Sequence, residues 1–551
     1  MAKKITSLLL VLLMALSLAA CSTGAPAEAP ATDAPAAETP TDGTDAPAAD
    51  GGAESAYADK LTISMSMLDA EKSGVSAKDQ WLCEKFNFEW DLIPVTWGDW
   101  NEKVRAWIAG DDLPDILWWD MKAGNTSEFR MWAEAGAFRE IPQDMSAWPE
   151  LEALLERAWS DEKFLTVNGK LYGWPCLRAN PDWYDDACFN QFVYRRDWAK
   201  AVGMYTEGDM YTWDEVKAMI KAVQEQDPGN LGAGQTIGIV SETWAFPGVF
   251  LELSGWQQKR YGYQINEETG LYEYYAATDG YLNELKHVTE LYQDGYIWKD
   301  QVVDSGSDGM NNFYGGKAFM ALTGAGPTWL TGTAWPKMVD TGIVDSRDDV
   351  APMIVLSPAD NETFYLIQTE DLWTVAHFRH DLEDEKMNRI LDIWNWLASE
   401  EGRIFRVAGI EGVDYTKNDD GTYNILWEKN ADGQYINPYA DYSYNIYQPA
   451  GSLATPNETS DPAGYEAYEN FFEMMRSPAY KAQLKDWESE AFGGELYSTL
   501  GPDINTKFSE KTTEIVVGGG DVEAQWTAFV ESMMPDVQAV LDELNAGLLG
   551  K

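Results

Sequence analysis

Leu61-Thr-Ile-Ser-Met-Ser-Met67, Glu89-Trp-Asp-Leu-Ile-Pro-Val95 and Leu113-Pro-Asp-Ile-Leu-Trp-Trp119 are three short apolar-rich runs, and the two stretches between them read differently. Ser76 to Phe86 has a helical pattern. From Trp100 to Ala109, Val104, Trp107 and Ile108 recur at the spacing of one helix face. Strands alternating with helices of this length indicate βαβ units and a parallel sheet. The expected fold class is therefore α/β.

Working outward toward the N-terminus, the stretch from Ser22 to Asp59 is built of Ala, Pro, Thr, Asp, Glu and Gly, with no basic residue between Lys4 and Lys60. It has almost nothing to bury and cannot offset its ordering entropy, so it reads as a disordered tether. An extended chain of that length reaches ~100 Å. Before it come Lys3 and Lys4, an apolar run from Leu8 to Ala20, and Leu18-Ala-Ala-Cys21. That is the layout of a signal peptide over residues 1–20. The run is shorter than the ~20 apolar residues a membrane span needs. Leu-Ala-Ala-Cys is similar to the bacterial lipobox, which implies that Cys21 is lipidated and heads a tether over 21–59. Two or more acyl chains give stable anchoring, so the expected location is the extracytoplasmic face of a bacterial cell membrane.

The rest of the chain, roughly 490 residues, is too long for one core, and two lobes are expected. A formal net charge of -51 argues against nucleic acid or an anionic membrane surface as partner, because phosphate neutralisation needs clustered Lys and Arg. Beyond Cys21 there are Cys83, Cys176 and Cys188. Cys83 fits a buried helical position, while Cys176 and Cys188 either bridge a local loop or remain thiols.

The segment Asn101-Glu-Lys-Val-Arg-Ala-Trp-Ile-Ala-Gly-Asp-Asp-Leu-Pro-Asp-Ile-Leu-Trp118 resembles part of the extracellular solute-binding proteins that include maltose-binding protein. Gly136-Ala-Phe-Arg-Glu-Ile141, Val167-Asn-Gly-Lys-Leu-Tyr-Gly-Trp-Pro175, Tyr194-Arg-Arg-Asp-Trp198, Thr212-Trp-Asp-Glu215, Gly315-Gly-Lys-Ala-Phe-Met320 and Asp392 to Gly402 continue the match in the family's order. The resemblance implies a two-lobed periplasmic-binding-protein fold of type II, each lobe a sheet flanked by helices, with the ligand in the cleft between them. It places residues 60–187 and 324–399 in one lobe, and 188–323 and 400–551 in the other. It further implies a monomeric receptor that binds a carbohydrate, an oligosaccharide above all, and delivers it to the permease subunits of an ABC importer. Contact with the membrane would run through the lipid anchor alone.

The chain holds 25 Trp and 27 Tyr, many beside acidic or amide residues. Sugars have apolar C–H faces and polar rims, which a ring flanked by carboxylates matches. Most of these rings are expected to fill cores. The resemblance selects Trp119, Asp120 and Lys122, at the carboxyl end of the Leu-Pro-Asp-Ile strand, where open α/β sheets bind ligands. It adds Asp69 and Glu71 after the first strand, Trp183 and Tyr184 near the first lobe crossing, Trp329 in Gly326-Pro-Thr-Trp329, and Trp244 and Trp373.

Enzyme chemistry finds few footholds. The three histidines are His287, His377 and His380, and no Gly-x-Ser-x-Gly elbow accompanies them. His377 and His380 read as a solvated pair at a helix start. Gly315-Gly-Lys317 lacks the spacing and the Ser or Thr of a phosphate loop. Asp227-Pro-Gly-Asn230 is similar to a calcium-binding loop of some relatives but lacks the later acidic ligand. Asn418-Asp-Asp-Gly421 and Asn430-Ala-Asp-Gly433 read as hairpin turns, without EF-hand spacing. No cofactor or metal is assigned. A lipid-anchored glycoside hydrolase, whose two carboxylates a sequence cannot place, and a surface glycan-binding or sensor protein are the alternatives.

Overall fold

The computed structural model describes residues 57–549 apart from 121–124, 158–164, 178–187, 254–261, 267, 305, 325–328, 369–371, 420–421, 431–434, 444, 452–464, 467–468, 471–475 and 484–493. Cys21, Lys122, Trp183 and Tyr184 lie outside the described residues, as do the side chains of Asp120, Cys188 and Trp373.

In chain order the sheet strands are β1 (Leu61–Met67), β2 (Phe88–Pro94), β3 (Ile116–Asp120), β4 (Trp174–Leu177), β5 (Cys188–Arg195), β6 (Met210–Tyr211), β7 (Ile237–Ser241), β8 (Ala318–Thr323), β9 (Val350–Val355), β10 (Phe364–Gln368), β11 (Leu372–Phe378) and β12 (Tyr480–Gln483). The first sheet has the order β2-β1-β3-β11-β4. The pairs β1/β2 and β1/β3 are parallel, and β11 runs antiparallel to both β3 and β4. The second sheet has the order β12-β10-β5-β8-β7, with β9 paired to β5 and β6.

Helices α1 (Ala77–Lys85) and α2 (Trp100–Gly110) connect β1, β2 and β3. Ser76 caps α1 in a capping box with Asp79, and Thr212 does the same with Glu215 for α3 (Trp213–Gln226), each satisfying two orphan N–H groups. The first core gathers Ile63, Met65, Met67, Val104, Trp118, Trp119, Trp174 and Trp394. The second lobe has two clusters. One runs from Tyr194, Val216, Ile220, Phe319 and Leu322 to α4 (Asp279–Gln293), and the other is built on Phe313, Trp329, Trp335 and Met338.

The Leu-Pro-Asp-Ile motif has a structural reason. The Asp115 carboxylate accepts from the Ser64 N–H on β1 at 2.8 Å and from Lys386 Nζ at 2.9 Å, while Asp115 N–H donates to Ser64 Oγ at 2.9 Å. One buried acid thereby joins β1, β3 and α5 (Asp384–Ala398). In Ser399-Glu-Glu-Gly402, Ser399 Oγ accepts from Gly402 N–H to start α6 (Glu400–Ala408). A Cβ at Gly402 would meet Trp396 O at 2.0 Å, so only glycine allows α6 to turn this closely off α5.

The lobe assignment of the sequence reading needs two corrections. Residues 324–399 were expected in the first lobe, yet β9 and β10 pair into the second sheet, and the chain rejoins the first sheet only at β11. Residues 400–551 were expected in the second lobe, yet Phe405 of α6 and Ile446, Tyr447 and Ala450 of the following segment pack into the first core. Only later does the chain add β12 beside β10, with α7 (Glu495–Gly518) and α8 (Val522–Leu549) packed on α4. Sheet membership depends on partners remote in sequence, which local pattern does not encode.

His377 and His380 also differ from expectation. Both sit at the end of β11 and not at a helix start. His377 is fully buried, with its ring 4.7 Å from Phe138 and Nδ1 3.0 Å from Tyr172 O, while His380 is exposed near Asp111. Cys176 is a free, buried thiol, so it forms no bridge to Cys188. Cys83 lies on α1, as its helical pattern implied, but is half-buried rather than buried. The first hairpin forms, Tyr415–Lys417 pairing antiparallel with Tyr423–Ile425.

Candidate ligand-binding edge

Strand direction brings the candidate residues together. In the first sheet β1, β2, β3 and β4 all end at one edge, at Met67, Pro94, Asp120 and Leu177, and β11 begins there. In the second sheet β5 begins, and β10 ends, at an edge where Gln368 pairs with Cys188. The carboxyl ends of β8 and β7 fall at that same edge, through Thr323 opposite Gln191 and Leu322 beside Ser241. The chain passes between these two edges from Leu177 to Cys188 and from Gln368 to Leu372. Four residues reach at most about 14 Å. The two carboxyl edges therefore lie close together where the lobes join, the place where open α/β sheets take ligands.

On the first edge, Asp69 follows β1 in the left-handed conformation with φ 53° and is exposed. Its carbonyl accepts from Lys72 N–H and Ser73 Oγ, which fixes the turn carrying the exposed Glu71. Asp120 ends β3 opposite Thr374, and Trp373 stands next to it in β11. Trp119, one residue before Asp120, does not present its ring at this edge. It is completely buried, its Nε1 donating to Asn101 Oδ1 at 2.8 Å and its ring stacked 5.4 Å from Trp132. A strand covered by helices on both faces buries its side chains on both, so alternation gave no warning.

On the second edge, Glu242 follows β7. Its carboxylate accepts from Thr323 Oγ1 at 3.2 Å, and burial raises its pKa above the usual carboxylate range. Trp244 is exposed on the turn Thr243–Ala245. Trp329 is buried, against the expectation of an open platform. Its Nε1 donates to Tyr314 Oη at 3.0 Å, and its ring stacks on Phe313. Burial pushes the Tyr314 hydroxyl up to about 12, and Lys337 Nζ sits 4.2 Å from the Tyr314 ring centre. Trp329 thus supports a half-exposed group of Tyr314, Lys337 and Glu242, which sequence reasoning missed. These side chains offer acceptors and donors for hydroxyls and ring faces for C–H surfaces.

Trp97 was missed as well. It follows β2 at the first edge and is 67% exposed, while its neighbour Trp100 is buried. The signal available was a tryptophan in Thr96-Trp-Gly-Asp99, directly past a strand.

For metals the geometry offers little. Among the described residues no group of three or more His, Cys, Asp or Glu side chains is placed to hold an ion. The Asp227 carboxylate accepts from the N–H groups of Leu231 and Gly232 at 2.9 and 2.8 Å and from Thr236 Oγ1, and these hydrogen bonds hold its pKa low. That is turn chemistry. Nor is any helix among the described residues long and apolar enough to cross a membrane.

No family model matches the chain. Among curated proteins it is 26% identical over 390 residues to lipoprotein LipO of Bacillus subtilis, covering 68% of this chain and 71% of that one. It is 25% identical over 347 residues to the polygalacturonan/rhamnogalacturonan-binding protein YtcQ of the same organism, covering 61% and 63%. The alignment thus spans just under two thirds of the second relative. Among solved structures it superposes on the alginate-binding protein AlgQ2 with a TM-score of 0.65 at 14% identity, covering 90% of this chain and 99% of that one. The resemblance carried by the sequence is borne out, and the chain has the two-lobed α/β fold of the solute-binding proteins.

Proposed function

We propose that the chain is an extracytoplasmic, lipid-anchored receptor that binds an oligosaccharide between its two lobes and delivers it to the permease subunits of an ABC importer. The observation that carries the reading is the meeting of two carboxyl strand edges at the lobe crossings, one bearing Asp69, Glu71, Asp120 and Trp373 and the other Glu242, Trp244, Tyr314 and Lys337. The names of YtcQ and AlgQ2, each a binder of a sugar polymer, support the ligand class. Lys122, Trp183 and Tyr184 belong to the same proposed contact set by their position beside β3 and the first crossing.

Contacts from both lobes are made together only in the closed state, so ligand shifts the population toward closure. A glycoside hydrolase would close too, which makes chemistry the deciding observable. After long incubation of the purified protein with a candidate oligosaccharide, mass spectrometry is expected to recover the sugar intact, while small-angle scattering registers a smaller radius. Steady product formation, abolished by a single carboxylate change, would replace the receptor with an enzyme.

The anchor has its own test. Cys21→Ser should abolish metabolic labelling with a fatty acid and release the protein or leave it as a precursor. Unchanged labelling sinks the lipid anchor and leaves the sugar site untouched.

A further inference from the structure

Of the tryptophans whose side chains are described, only Trp97 and Trp244 are exposed, at 67% and 57%. Their places in the sheets match. In the order β2-β1-β3-β11-β4, the strands that lead into the crossings, β11 and β4, occupy one flank, and β2 is the outermost strand of the other. In the order β12-β10-β5-β8-β7, the crossing strands β10 and β5 lie toward one flank, and β7 is outermost on the other. Trp97 follows β2 and Trp244 follows β7, both on the carboxyl edges. Each indole therefore stands at the flank remote from the lobe junction, one per lobe.

The Trp97 turn is firmly held. Thr96 N–H donates to Asp99 Oδ1 at 2.7 Å, Trp100 N–H to Thr96 O at 3.0 Å, and Lys103 Nζ to Pro94 O at 2.9 Å. Beneath the turn, Trp100 is fixed by its Nε1 bond to Trp118 O at 3.0 Å, and Trp97 rests edge-on against it with ring centres 5.6 Å apart. In the second lobe, Ala245, next in the chain to Trp244, is fully buried, Ala245 N–H donates to Glu242 O at 3.1 Å, and Glu242 N–H is tied to Leu322 O at 3.0 Å. Both exposed rings sit on turns whose backbone is hydrogen-bonded into the fold.

Three strand spacings separate β2 from β11, about 14 Å, a width that a single sugar ring at the junction leaves unfilled. Resting on the oligosaccharide reading above, we propose that Trp97 and Trp244 form an outer clamp that stacks on the distal rings of a bound sugar chain and makes affinity depend on chain length. The occupant is the apolar C–H face of an outer sugar residue, which an indole covers without demanding a hydroxyl pattern.

The test titrates the full-length protein and its Trp97→Ala, Trp97→Phe and Trp244→Ala variants with galacturonan, malto- and fructo-oligosaccharides of one to six residues by calorimetry, with melting followed in parallel. Wild-type affinity is expected to rise with length in the series it recognises. Trp97→Ala should leave the shortest bound ligand unchanged and weaken the longest by about tenfold, with Trp97→Phe restoring most of the loss at unchanged melting temperature. Trp244→Ala, at a residue that also belongs to the proposed contact set, should weaken the longest ligand more than the shortest. An equal loss at every length, or no loss at any, overturns the clamp while leaving the receptor intact. Binding of no sugar by the wild type overturns the receptor reading and the clamp with it.

Discussion

Replacing Trp119 with Ala is expected to destabilise the first lobe by about 3–5 kcal/mol, on the order of 10 °C in its melting transition. The ring has no exposed surface and lies between Trp132 and His377, with centre distances of 5.4 and 6.2 Å. Truncation leaves a cavity that a sheet covered on both sides cannot close, and it removes the donor to Asn101 Oδ1, which then keeps only Asn125 Nδ2 at 3.1 Å. A sugar platform behaves differently, losing about 1–3 kcal/mol of binding at unchanged stability. Parallel melting and sugar titration of the variant separate the two. Normal melting with lost affinity would return Trp119 to the binding edge.

That residue marks how far the sequence could be read. The alternation of strands and helices from Leu61 to Trp119 was legible because each element carries its own periodicity, and Asp115 and Gly402 stand in the resembling segments for reasons the structure supplies: a buried carboxylate joining three elements, and a contact too close for a Cβ. Position along a strand was also legible, so Asp69 and Glu71, expected after the first strand, do follow β1 at its carboxyl end. Direction across the strand was not. Trp119 and Trp329 end up buried because residues of other elements pack on them, Asn101, Trp132 and His377 on the first and Phe313 and Tyr314 on the second, while Trp97 stands exposed on a turn tied through Asp99. The lobe boundaries failed for the same reason. β9 and β10 resemble any other apolar run, and only their pairing with β5 assigns them to the second sheet.

Mild acid should weaken both lobes through their buried histidines. In the folded protein burial lowers His377 and His287 from the ordinary 6.5 to about 4. His377 lies among Phe129, Phe138 and Trp119, its Nδ1 3.0 Å from Tyr172 O, and its Nε2 has no hydrogen-bond partner among the described residues. His287 packs edge-on to Trp213 at 4.8 Å, and the positive charge of Lys217 lowers it further, while Asp214 opposes that shift. Between pH 6.5 and 4 the unfolded chain binds protons that the folded chain refuses, so stability rises with pH across this window and is lost as pH falls through it. Each histidine is worth about 3 kcal/mol over the full interval, His377 in the first core and His287 in the second. Urea unfolding at several pH values from 7.5 to 4.5 measures the slope. His377→Phe should flatten it for the first lobe and His287→Phe for the second, since carboxylates elsewhere titrate alike in wild type and variant. Slopes unchanged by either substitution would mean that the two imidazoles take up protons in the folded state as readily as in the unfolded one.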